Sequence, residues 1–266
     1  MEEYIEEVYY KPLSDKNVAY RGLLFLDGKF EKYISTRVKN KFVDPEWTSL
    51  LIQEAKLALE ETGFVTDTLI EIFKSKEIEN NWRIGEYVAE CVLEDYFPAK
   101  FYFNNARDAK NPNANDTGAD LVGIWNFDKE SMFLFGEVKT SSDKSKPPQV
   151  LYGKSGMIYQ LETLRDKVEK RNDLVKWIWG KAVTTNGKFK EHCIEALRNY
   201  QLSNCNKVKL IGILVRDTEV SEMDVKNRAM AMKNNIPNGM DIELIGIYSG
   251  YQMDNNNWIN ALNRSD

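Results

Sequence analysis

The apolar residues of this chain follow two periods, and the switches between them mark its organisation. After two short extended runs, Val8–Tyr10 and Gly22–Leu26, the first third turns to helical spacing. Asp44-Pro45-Glu46 predicts a helix start, with Asp as cap and Pro in the first turn. Trp47, Leu50, Leu51, Glu54, Leu57 and Ala58 then recur at helical intervals up to Gly63. Asp67 is placed to cap a second short helix through Phe73. A third runs from about Asn81 to Phe97, where Pro98 ends it. The middle changes period. Lys100–Phe103 reads as a strand, and a polar loop covers Asn104–Thr117. Asp120–Asn126 and Met132–Lys139 are strongly apolar strands separated by a polar turn at Asp128-Lys129.

A loop rich in Ser, Lys and Pro spans Ser141–Pro148, and helical spacing returns in Met157–Val168, Leu174–Val183 and Glu191–Leu202. Val208–Arg216 and Ile242–Tyr248 are continuous apolar runs, expected of strands buried on both faces. A polar, helical stretch starting near Ser221 lies between them. Strands flanked by helices in this order predict an α/β sandwich with a mixed central sheet. Residues 1–266 are expected to form one compact domain, with 1–78 a helical N-terminal extension and 79–250 the core.

Composition narrows the functional classes. No stretch approaches the roughly 18 apolar residues of a membrane helix. The opening Met1-Glu2-Glu3-Tyr4-Ile5-Glu6-Glu7 has neither the basic start nor the apolar run of a secretion signal. Cys91, Cys193 and Cys205 are odd in number and never spaced as C-x-x-C, so a cytoplasmic protein without disulfides or zinc knuckle is expected. Thirty-six basic against 41 acidic residues leave a net charge of −5. Any nucleic-acid contact must then come from a local patch or from a partner. The single histidine, His192, makes a histidine-based triad or metal site improbable and, with Cys193 and Cys205, reads as structural.

The chemistry concentrates in Gly118-Ala119-Asp120-Leu121-Val122-Gly123 and Gly136-Glu137-Val138-Lys139-Thr140-Ser141. If Asp128-Lys129 is a two-residue hairpin loop, paired positions sum to 257, so Asp120 faces Glu137. Side chains directly opposed in an antiparallel pair lie about 4.5–5.5 Å apart on one face. Lys139, two residues on, shares that face. Two carboxylates so close repel unless a cation lies between them. Hard oxygen ligands suit Mg²⁺ or Mn²⁺, which polarises a phosphoryl group and lowers the pKa of a bound water. A lysine alongside stabilises charge that develops in the transition state. The set points to phosphodiester hydrolysis. The rival reading of Glu137 and Lys139 is a plain cross-strand ion pair, contributing roughly 0–1 kcal/mol if exposed.

Asp120 followed by Glu137-Val138-Lys139 resembles the catalytic pattern of the PD-(D/E)xK nuclease superfamily, with Ala119 where a Pro usually stands. More narrowly, Gly-Ala-Asp-Leu-Val-Gly and Gly-Glu-Val-Lys-Thr-Ser are similar to the HamA family, the nuclease subunits of Hachiman anti-phage defence systems. The resemblance implies a restriction-endonuclease-like αβββαβ core and a metal-dependent DNase. In it Asp120 and Glu137 hold Mg²⁺ (or Mn²⁺), the Val138 carbonyl completes the coordination and Lys139 assists catalysis. It also implies DNA and a superfamily-2 helicase subunit, HamB-like, as partners. A Glu on the first core helix often supplements such sites; Glu86 in Gly85-Glu86 is favoured over Glu90, although both lie off the helix face defined by Ile84, Val88, Cys91 and Asp95.

Lys144, Lys146 and Lys154 give residues 139–154 a net charge of +3 (four lysines, counting Lys139, against Asp143), a phosphate-binding patch or a solvated loop. Gln160 resembles a helix position that touches the site in related nucleases, or is an ordinary polar helix position. Lys29, Lys32, Arg37, Lys39 and Lys41, around Phe30, Tyr33 and Phe42, read as a solvated basic face or a contact for DNA or a partner. The alternatives within this class are a catalytically silent regulatory module of the same fold and a stand-alone restriction or repair endonuclease.

Overall fold

The computed structural model describes residues 4–13, 17–59, 71–73, 81–103, 118–127, 130–250 and 257–263. The expected loop 104–117, the turn at 128–129 and the start of the helix at Asp67 lie outside them. The architecture is mixed α/β, built on a seven-stranded sheet. Its strands are β1 (Ile5–Leu13), β2 (Val18–Phe25), β3 (Ala99–Lys100), β4 (Leu121–Phe127), β5 (Glu130–Ser141), β6 (Val208–Arg216) and β7 (Asp241–Tyr248). Their spatial order is β1-β2-β7-β6-β5-β4-β3. β2, β7, β6 and β5 run parallel in the centre, and the strands at both edges pair antiparallel.

The central strands are the ones most clearly written in the sequence. Every residue of β6 is buried, and β7 is buried after its first residue, because helices cover both faces and leave no polar side to alternate. On one face pack α1 (Lys29–Tyr33), a π-helical turn (Ile34–Val38), α2 (Lys39–Val43), α4 (Asn81–Tyr96) and α9 (Trp258–Asn263). On the other lie α5 (Met157–Asp166), α6 (Val168–Val183), α7 (Lys188–Leu202) and α8 (Lys226–Met232). The cores divide by strand alternation: Leu134 and Val138 of β5 face the first group, Phe133 and Phe135 the second.

Three expectations are revised. The N-terminal region is not purely a helical extension: β1 and β2 are longer than the runs read from sequence, and β2 hydrogen-bonds along β7 and so belongs to the sheet. The strand expected at Lys100–Phe103 is reduced to Ala99–Lys100. The basic stretch 29–42 is only partly a solvated face: Phe30, Tyr33 and Phe42 are buried, while Lys32 is exposed. Its Arg37 and Lys41 are ion-paired to Glu94, Asp95 and Glu90 of α4. By contrast α3 (Pro45–Leu59), found where Asp44-Pro45 placed it, leaves Trp47, Leu50 and Leu57 exposed.

Candidate active site

The β4–β5 pairing carries the site. Leu121 pairs with Gly136 and Phe127 with Glu130, so paired positions sum to 257 as the hairpin reading required. The ladder stops one residue short of Asp120. There the Asp120 carboxylate replaces a backbone partner: its Oδ2 accepts the Val138 N–H at 2.8 Å. The two strands thus part at this end, and Asp120 bridges the gap close enough to Glu137 for its charge to act on the Glu137 carboxyl. Lys139 Nζ donates to Glu137 Oε1 at 2.6 Å. Glu137 is 5% exposed, whereas the Lys139 side chain is 25% exposed, so the acid is sunk and the amine opens toward solvent.

Glycines let the surrounding backbone close in. A Cβ on Gly136 would meet the Ile211 carbonyl at 2.4 Å, so β5 and β6 can run side by side here only without a side chain. A Cβ on Gly85 would lie 2.0 Å from Thr140 Oγ1, so α4 rests directly on the end of β5. That contact carries Glu86, the next residue, into the neighbourhood of Asp120.

The electrostatics show acids short of positive charge. Burial, then the charge of Asp120, pushes the Glu137 carboxyl up to about 7, against the opposing pull of Lys139. Asp120 is also raised, by burial, although the Val138 N–H and Lys139 act the other way. Glu86 goes up to about 8 through burial and Asp120, with Arg83 opposing. Burial works against the Lys139 ammonium, but Glu137 outweighs it and the net shift is upward. Lys139 is therefore a cation at neutral pH and serves as a hydrogen-bond donor, not a base.

Glu86 and Glu90 are both buried, unlike the solvated helix face that their angular position suggested. The reason is that α4 is enclosed from two sides, by the sheet and by α1–α2. Glu90 turns to Lys41 at 3.0 Å and takes no part in the site. Glu86 Oε2 accepts from Arg83 Nη1 at 2.7 Å. Sequence reading missed Arg83, although its i,i+3 spacing to Glu86 is the signal that could have found it.

Among the described residues, no group of three or more His, Cys, Asp or Glu side chains is placed to hold a metal ion by itself. The ligand set brought together is the Asp120–Glu137 pair, with Glu86 held back by Arg83. Two neighbouring carboxylates, only half neutralised by one lysine, still fit Mg²⁺ or Mn²⁺, which uses one or two carboxylates and completes its shell with water and phosphate oxygens. The Val138 peptide reaches Asp120 through its N–H. No family model matches this sequence, and no curated protein matches it either.

Lys144, Lys146 and Lys154 are all exposed along the segment after β5. Lys146 Nζ pairs with Glu219 at 3.2 Å. Gln160 donates to the Lys154 carbonyl at 2.8 Å, so its amide is used to hold the turn before α5. His192 Nδ1 lies within 3.0 Å of the Tyr102 hydroxyl and 3.1 Å of the Asn126 amide. Among the described residues, no helix is long and apolar enough to cross a membrane.

Proposed function

We propose that this chain is a Mg²⁺- or Mn²⁺-dependent deoxyribonuclease and that it serves as the effector of an anti-phage complex with a superfamily-2 helicase. The observation that carries the nuclease reading is half-buried Asp120 beside buried Glu137, with Lys139 on Glu137, where two otherwise apolar strands part. A scaffold gains nothing from opposed, under-neutralised carboxylates. The order α4, β3, β4, β5, α5, β6, with the further helices α6 and α7 between α5 and β6, is compatible with the αβββαβ core implied by the resemblance. The helicase and the defence role rest on that resemblance, and an acidic chain suits a partner that supplies the basic track along DNA.

Asp120 and Glu137 would hold the ion, which when bound polarises the scissile phosphate and lowers the pKa of a water. The Val138 N–H fixes the Asp120 carboxylate in place, and Glu137 fixes the Lys139 ammonium. That ammonium donates to the phosphate oxygens as negative charge grows there. Supercoiled plasmid incubated with the purified chain and Mg²⁺ should be degraded, and EDTA should stop it. Glu137→Ala and Lys139→Ala should each lower the rate by about a thousandfold or more with folding retained. Wild-type rates from Glu137→Ala would remove the assignment.

A further inference from the structure

The loop that follows the candidate catalytic lysine is anchored by a side chain outside the site. Arg216, the last residue of β6, is 0% exposed and pairs in register with Ser141 at the end of β5. Its guanidinium donates to the carbonyl of Asp143 through Nη2 and to that of Ser145 at 3.4 Å through Nη1. These two carbonyls flank Lys144. The same Nη1 also donates to Asp224, 0% exposed, at 3.2 Å, and Nε donates to the Thr218 hydroxyl at 3.1 Å. Asp224 in turn lies 3.0 Å from the Tyr248 hydroxyl. A buried arginine with a carboxylate behind it is thus spent on gripping the backbone of an exposed loop.

The loop is also set from within. Ser141 Oγ accepts the Asp143 N–H at 3.1 Å, and the Asp143 carboxylate accepts the N–H groups of Ser145 at 2.9 Å and Gln149 at 3.0 Å. Ser142 Oγ reaches Asp217 at 2.7 Å. Ordering so much exposed backbone costs conformational entropy, which a connector between β5 and α5 has no structural need to lose. With both neighbouring carbonyls drawn inward, Lys144 is carried outward on a fixed base, a few residues beyond Lys139.

We infer that Arg216 and Asp143 are positioning residues that hold Lys144 as a contact for a DNA phosphate next to the scissile one. This deepens the nuclease reading and rests on it. Asp143 separates positioning from plain charge. Removing a half-buried acid beside a phosphate contact should tighten DNA binding if charge alone matters, whereas loss of the loop's internal acceptor should weaken it.

The test is binding of a fluorescently labelled duplex DNA by the Glu137→Ala protein, followed by anisotropy across a salt series. Lys144→Ala added to that background should weaken binding by about tenfold and reduce the slope of log K against log salt by about 0.9. Asp143→Ala should weaken binding to a similar degree and be non-additive with Lys144→Ala. Arg216→Lys, which keeps the charge and loses the fork, should behave in the same way. Asp143→Ala needs no buried change, so the test survives if Arg216→Lys fails to fold. Tighter binding by Asp143→Ala, or additive effects, overturns the positioning role while leaving the nuclease reading intact. Absence of DNA binding by every form, together with intact plasmid in the cleavage assay, overturns both.

Discussion

Two clusters of acids and cations sit on the same sheet, each around a buried glutamate, and differ in how their charges balance. Glu243 of β7, 3% exposed, receives Arg21 Nε at 2.5 Å and Lys209 Nζ at 2.9 Å. Burial pushes its carboxyl up, yet the two cations prevail and the net shift is downward. At the parting of β4 and β5 the ratio is reversed. Asp120 and Glu137 share one lysine, and both are raised. The first arrangement is balanced as it stands; the second carries more negative than positive charge. Under-neutralised acids in a cleft are the pattern expected of a site tuned for chemistry, and balanced ones of a structural tie.

The largest expected effect separates the clusters by stability. Glu243→Gln leaves Arg21 and Lys209 buried without their counter-charge and should cost about 3–5 kcal/mol in urea denaturation. Glu137→Gln removes a repulsion and should leave stability unchanged or higher while cleavage is lost. Equal destabilisation by the two would erase the distinction.

Next in size is the seat of α4 on β5. Gly85→Ala drives a methyl into Thr140 Oγ1 and should cost about 1–3 kcal/mol, with activity falling as Glu86 and α4 move off. Adding Thr140→Ala should restore most of both, measured by melting temperature and plasmid cleavage. Failure of that rescue would mean the close approach does not position the helix.

The smallest effect is in pH. Glu137 gives up its proton near 7 in the native state against an ordinary value of 4.5, and Glu86 near 8. Between those values the native state binds more protons than the unfolded one, so this site's contribution to stability falls as pH rises. Added Mg²⁺ should therefore raise the melting temperature by more at about pH 8 than at about pH 5. Glu137→Gln should flatten that difference. The Glu243 cluster, whose acid is lowered, should contribute no such loss in this range.

How much of this was legible in the sequence depends on how local the cause was. Val208–Arg216 was read with its observed limits, and the β7 strand within one residue, because continuous apolar runs need no partner to be recognised. The pairing of β4 with β5 followed from one short turn and simple addition. The Asp120 side chain standing in for the ladder was not legible, since it depends on where the strands diverge. Nor was the burial of Glu86 and Glu90, because angular position on a helix identifies one covered face and α4 has two. The docking of β1–β2 on β7 and the grip of Arg216 on the loop are long-range contacts with no local signature.

The central claim is that Asp120 and Glu137 together hold one divalent cation, and calorimetric titration of the free chain with Mn²⁺ tests it most directly. The wild-type chain should bind the ion stoichiometrically at neutral pH, with Asp120→Ala and Glu137→Ala each losing that binding while Glu243→Gln, if folded, keeps it. Undiminished Mn²⁺ binding by the two site variants would contradict the account.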